Sequence, residues 1–163
     1  MKRLFACALL CVLLGPVLAC AGSLAGVVIV VIDGDTVLFK PDHYAPGSRA
    51  FLKVRLAGID APESDQPHGA QAARALRALA LKRHAQLEIV GVDPYGRKLG
   101  LLDVAGLQLN AELVRRGHAW ASSRSETAAL RRLQDEAREA RRGLWQSTDP
   151  MSPANWRRSH QGS

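Results

Sequence analysis

All three cysteines of this 163-residue chain fall within its first 20 residues, at positions 7, 11 and 20. The rest of the chain is free of cysteine. That excludes a disulfide framework, a thiol nucleophile and a cysteine-bound zinc from everything downstream. The five histidines (His43, His68, His84, His118 and His160) show no metal spacing, and none is assigned a role. There is no Gly-x-Ser-x-Gly elbow and no Walker loop. An EF-hand frame opened at Asp33 fails, because it puts Leu38 where glycine is required and Tyr44 where glutamate is required. Internal repeats are absent as well. With 47% hydrophobic and 23% charged residues, the composition is that of one ordinary globular domain.

The one strongly apolar stretch is at the N-terminus. Lys2 and Arg3 precede an apolar run from Leu4 to Leu18, broken only by Gly15 and Pro16. The run is short for a bilayer span and ends in Ala19-Cys20-Ala21, an A-x-A cleavage pattern. Residues 1–21 therefore read as a signal peptide, with export to a periplasmic or secreted location. A rival reading makes Cys20 a lipid-attachment site, through Val17-Leu18-Ala19-Cys20 as a loose lipobox that Pro16 weakens. The whole chain carries a formal net charge of +7, and loss of Lys2 and Arg3 leaves +5. A basic balance of that size suits polyanionic partners without specifying a fold.

Strands come first and helices later. Val27 to Ile32 is a β-branched run that reads as a buried strand, and Asp33-Gly34 after it reads as a tight positive-φ hairpin turn. A second strand starts at Thr36, and Pro41 to Ser48 reads as a loop. From Phe51 the pattern alternates: Phe51, Lys53 and Arg55 share one face while Leu52, Val54 and Leu56 share the other. The alternation alone does not say which face is core. Ala72, Ala73, Leu76, Leu79 and Ala80 recur at helical steps. Gln86–Val90 and Leu99–Val104 read as two more strands. Asn110 reads as the N-cap of a short helix ending near Gly117. Ser125 reads as the cap of a longer helix carrying Leu130, Leu133, Ala137, Ala140 and Leu144. The stretch after Trp145 has turn chemistry and no helical period. Five strands with three helices predict an α+β domain built on a small β-barrel.

Three separated clusters carry chemistry: Asp33-Gly-Asp35, Arg55 with Asp60-Ala-Pro-Glu63, and Tyr95-Gly-Arg97. Singly, each has an ordinary structural explanation. Together they are the set that phosphodiester cleavage requires. A phosphorus centre that gains negative charge on attack needs cationic hydrogen-bond donors, and the arginine fork supplies two in parallel. A hard divalent cation needs oxygen ligands, which Asp35 and Asp60 provide. Glu63 is near enough to Asp60 to face a water, which a carboxylate orients or deprotonates.

These residues resemble the staphylococcal nuclease (thermonuclease) family over roughly Val27 to Trp145. The matching segments are Val31-Ile-Asp-Gly-Asp-Thr-Val37, Val54-Arg-Leu-Ala-Gly-Ile-Asp-Ala-Pro-Glu63, Tyr95-Gly-Arg97, Asn110-Ala-Glu-Leu-Val-Arg-Arg-Gly117 and Gly143-Leu-Trp145. The tail Pro153-Ala-Asn-Trp-Arg157 is similar to the ending of many bacterial members. The resemblance implies a five-stranded OB-fold β-barrel with three flanking helices. It implies Ca²⁺-dependent hydrolysis of DNA and RNA that leaves a 3′-phosphate and a 5′-hydroxyl. It places metal ligands at Asp35, Asp60 and the Ala61 carbonyl, the water-activating carboxylate at Glu63 and the phosphate-binding guanidiniums at Arg55 and Arg97. The expected partners are nucleic-acid substrates of a monomer, with no protein partner and no membrane span after signal removal.

Departures from the family pattern touch binding more than bond breaking. Where the best-known member has nucleotide-pocket tyrosines, this chain reads Trp120-Ala-Ser-Ser-Arg124. Base stacking is worth ~1–3 kcal/mol per base, so affinity or base preference is expected to differ. Trp120 itself is expected chiefly as a packing aromatic. Pro94 replaces a basic residue common before Tyr-Gly-Arg. The last helix, with Arg131, Arg132, Arg138, Arg141 and Arg142 beside Asp135, Glu136 and Glu139, reads as a solvated face with local ion pairs. The alternative function is an OB-fold module that holds single strands without cutting. A pure binder has no need of the full set of carboxylates and arginines.

Overall fold

The computed structural model describes residues 22–122 and 128–160. The signal-peptide and Cys20 readings, and the cap at Ser125, lie outside them. Eight strands and four α-helices follow in chain order: β1 (Leu24–Val31), β2 (Thr36–Pro41), β3 (Leu52–Leu56), β4 (Ile59–Asp60), α1 (Gly69–Ala80), β5 (His84–Val92), β6 (Lys98–Val104), β7 (Leu107–Gln108), α2 (Leu109–Arg115), β8 (Trp120–Ala121), α3 (Ala128–Glu139) and α4 (Pro153–His160). A 3₁₀ turn, Gly143–Gln146, joins α3 to the tail.

Five long strands make the barrel. They run β3-β2-β1-β5-β6, and a parallel β3–β6 pairing closes the sheet on itself. This is the expected OB-fold barrel. Its interior holds Val28, Val37, Phe39, Val54, Leu56, Leu87 and Leu102, all fully buried. The alternating strand is thereby oriented: Val54 and Leu56 point inward, while Phe51 stands outside β3 and is exposed. The apolar stripe of α1 packs as read, with Ala72, Leu76 and Ala80 fully buried.

Four sequence-based expectations change. The run at β1 is not buried throughout. A register shift between Val28 and Val30 turns Val31 inward and leaves Val30 and Ile32 each 42% exposed. The connection after β1 is not a two-residue positive-φ turn: residues 32–35 form a wider bend in which Asp33 Oδ1 accepts from the Asp35 amide at 3.0 Å. Gly34 is there for space, since a Cβ would stand 2.7 Å from Ala61 Cβ and 2.8 Å from Ala72 Cβ. The N-cap of α2 is Gln108, whose side chain accepts from the Ala111 amide at 2.6 Å. Asn110 lies inside that helix, fully buried. It accepts from the Leu102 amide and donates to the carbonyls of Ala57 and Gly100, tying α2 to β6 and to the end of β3. Finally, the tail forms a fourth helix, α4. Three helices were expected before Trp145 and none after it; the tail's low apolar content concealed the fourth, which is held by polar contacts to the body.

Candidate active site

Barrel topology brings the three clusters together. In the β2–β3 pairing Thr36 stands opposite Arg55, which sets Asp35 beside that arginine. In the closing β3–β6 pairing Arg55 stands opposite Leu99, so Arg97, just ahead of β6, opens onto the same side. The short β4–β8 ladder pairs Asp60 with Trp120. Arg55, Asp60, Arg97 and Trp120 consequently line one open groove of about 940 Å³.

Arg55 is the hub. Its Nη1 donates to Asp35 Oδ1 at 2.7 Å and its Nη2 to Asp60 Oδ1 at 2.6 Å. Burial works against charge on this guanidinium, but Asp35 and Asp60 outweigh it and hold its pKa above the ordinary value. Asp35 is almost wholly enclosed, and Thr36 Oγ1 and the Ala61 amide also donate to its two oxygens. Burial pushes its carboxyl up to about 7 against the lowering pull of Arg55; Asp33 and Asp60 add repulsion that the Ala61 amide offsets in part.

Glu63 is on the loop between β4 and α1. Gly69 at the start of α1 packs against that loop so closely that a Cβ would fall 1.8 Å from the Glu63 carbonyl oxygen. Buried Gln66 accepts from the Glu63 amide at 3.1 Å and fixes the same turn. The Glu63 carboxylate is joined to the Asp60 cluster through Arg157 of α4, which donates to Glu63 Oε1 and to both oxygens of Asp60, reaching Oδ2 at 3.0 Å. Arg97 is steered by Asp93, whose Oδ2 accepts from Nε at 2.5 Å while Oδ1 accepts from the amides of Tyr95 and Arg97. The Arg97 guanidinium also covers the Tyr95 ring, 5.6 Å from its centroid.

The site thus assembles Asp35, Arg55, Asp60 and Glu63, with Ala61 beside Asp35 and Arg97 on the shared groove wall. Sequence reasoning missed Asp93 and Arg157. A carboxylate four residues before Arg97 was a readable signal for the first. For the second, only the similarity of the tail to family endings hinted at a role. Trp120 does two jobs: it packs edge-to-face on Trp145, with centroids 5.3 Å apart, and it faces the groove. The α3 surface carries an exposed Arg132–Glu136 pair at 3.2 Å, in keeping with a solvated face. His68 and His118, which had no assigned role, form a pair with Nε2 and Nδ1 3.0 Å apart.

The donor chemistry fits a hard divalent cation. Asp35 and Asp60 offer carboxylate oxygens, the ligands a hard cation prefers, and an ion there would share them with Arg55 and, at Asp60, with Arg157. Among the described residues no three His, Cys, Asp or Glu side chains gather as a ready ligand set. Such an ion would complete its shell with a backbone carbonyl and water, as calcium commonly does.

The chain is similar in sequence to known nucleases. A family profile described as "Staphylococcal nuclease homologue" matches residues 53–147. An "Uncharacterized endonuclease" of Escherichia coli O157:H7 is 37% identical over 144 residues, covering 87% of this chain and 89% of that protein. A "Micrococcal nuclease" of Shigella flexneri is 36% identical over 146 residues, covering 82% and 80%. An "Uncharacterized endonuclease" of Haemophilus influenzae is 33% identical over 132 residues, covering 80% and 71%. The chain therefore belongs to the staphylococcal nuclease family and is a phosphodiester hydrolase.

Proposed function

We propose that the chain is an exported, Ca²⁺-dependent nuclease that cleaves DNA and RNA with little sequence preference and leaves 3′-phosphate and 5′-hydroxyl ends. The observation that carries this reading is Arg55 bridging Asp35 and Asp60 on the groove that Arg97 also lines. Export rests on the sequence of residues 1–21.

Asp35, Asp60 and the Ala61 carbonyl are the residues that would hold Ca²⁺. When bound there, the ion supplies positive charge to a phosphoryl oxygen. Glu63 orients a water and takes its proton as the water attacks phosphorus in line with the 5′-oxygen. Arg55 and Arg97 grip the remaining oxygens, and their hydrogen bonds strengthen as the five-coordinate phosphorus gains charge. The leaving oxygen departs as a 5′-hydroxyl, which needs a proton from solvent or from a protonated group of the site. Sequence tolerance follows because every contact assigned here is to the phosphodiester that all nucleotides share.

Release of acid-soluble nucleotides from DNA and RNA tests the proposal. The expected outcome is release with Ca²⁺, none with excess EDTA, and product 5′ ends that a polynucleotide kinase labels without prior phosphatase treatment. Binding of single strands without release, in Ca²⁺, would instead identify a non-cleaving OB-fold module.

A further inference from the structure

We propose that the C-terminal helix α4 is part of the catalytic apparatus, with Arg157 as a positioning residue that holds Glu63 and Asp60 in their working arrangement. The proposal rests on Glu63 as the water-activating carboxylate.

The tail is built onto the site by several independent contacts. Gln66 uses both ends of its amide: Oε1 accepts from the Glu63 amide, and Nε2 donates to the Met151 carbonyl at 2.6 Å. One buried side chain therefore fastens the Glu63 loop and the approach to α4 together. Pro153, at the first turn of α4, is buried. Trp156 Nε1 donates to Asp65 Oδ1 at 3.3 Å, two residues beyond Glu63. These contacts bring Arg157, 94 residues away in the chain, onto the Glu63 carboxylate.

Arg157 does there what a lysine is poorly shaped to do. Its planar fork spans two carboxylates, with Nη1 on Glu63 and Nη2 on Asp60. As a guanidinium it is cationic at any working pH. Arg157 engages one oxygen of the Glu63 carboxylate, Oε1, and Oε2 is the oxygen assigned here to the water. Fixing one oxygen orients the other. A carboxylate misplaced by about 1 Å loses on the order of 10²-fold in rate, so orientation alone justifies such a contact.

A kinetic double-mutant cycle on a short oligonucleotide, in Ca²⁺, tests the idea with Glu63→Gln, Arg157→Ala and the pair; Arg157→Lys is measured alongside. Arg157→Ala is expected to lower kcat by ~10–10²-fold with KM changed less than about threefold, and to add little to the loss in Glu63→Gln. Arg157→Lys is expected to recover only part of that loss. Millimolar guanidinium should restore much of the Arg157→Ala rate without altering its melting temperature. Three results would overturn the proposal: activity of Arg157→Ala at or above the parent, which would make α4 an inhibitory strap; fully additive losses; or no guanidinium response in a folded variant. Parent-like turnover of Glu63→Gln would remove the assignment of the base itself. Slow Glu63→Gln beside fast Arg157→Ala would remove the Arg157 role alone.

Discussion

Arg97 is the residue whose chemistry depends most on shape. Asp93 takes its Nε and fixes the guanidinium on the groove wall, so it is already held before a phosphate arrives. Arg97→Lys keeps the charge and loses both the Asp93 contact geometry and the parallel donors. We expect it to lower kcat/KM by at least ~10-fold in steady-state cleavage, and parent-like values would show that the fork geometry is dispensable. At this scale the sequence was highly legible. Of the residues named from short motifs, Arg55, Asp60 and Arg97 line one groove, Asp35 and Ala61 are hydrogen-bonded onto that set, and Glu63 is joined to Asp60 through Arg157. Arg157 was not named, because its value comes from a tertiary contact across 94 residues that no local spacing encodes.

Among the elements, α2 shows how a cap signal misleads. Asn110 has the chemistry of an N-cap, but the helix begins at Leu109 and the amide turns inward to serve β6 and Ala57. Asn110→Ala is expected to cost about 1–3 kcal/mol in a denaturant titration, through the buried Leu102 amide and Ala57 carbonyl left unpaired. An unchanged midpoint would show that water replaces the side chain there. The strand faces were legible from alternation only after closure of the barrel chose the inner side. The helix at α4 was not legible, since its stability comes from docking rather than from an apolar stripe. The His68–His118 pair links the start of α1 to the segment after α2. Burial lowers the pKa of both rings; for His118, with His68 and Arg116 adding repulsion, it falls to about 4. A histidine whose folded pKa lies below its unfolded value near 6.5 binds protons more readily in the unfolded chain. Its contribution is therefore complete above about pH 6.5 and is lost as pH falls toward 4. Asp35, its carboxyl raised to about 7, acts in the opposite direction over the same window, so the histidine effect is read as a difference between proteins: His118→Gln should gain melting temperature relative to the parent as pH falls from about 6.5 toward 4. A constant difference between variant and parent across that window would contradict the pairing.

At the scale of the molecule, a basic chain presents a groove lined by Arg55, Arg97 and Arg157, with Asp60 and Asp93 among them and Asp35 buried against Arg55. Two phosphate-gripping arginines predict that log affinity for a single strand falls with log salt at a slope of roughly −1 to −2. A flat dependence, measured by fluorescence anisotropy without Ca²⁺, would argue against a phosphate-tracking groove. Closure of the barrel by β3 and β6 is what unites Arg55 and Arg97, 42 residues apart; the pattern of strands and helices predicted a small barrel, and the resemblance to a known family made it an OB-fold. The most direct test of the whole account is single-turnover cleavage by Glu63→Gln beside its binding of the same oligonucleotide. The account predicts a rate lower by ~10²–10⁴-fold with affinity within about threefold of the parent. A rate near the parent's would contradict it.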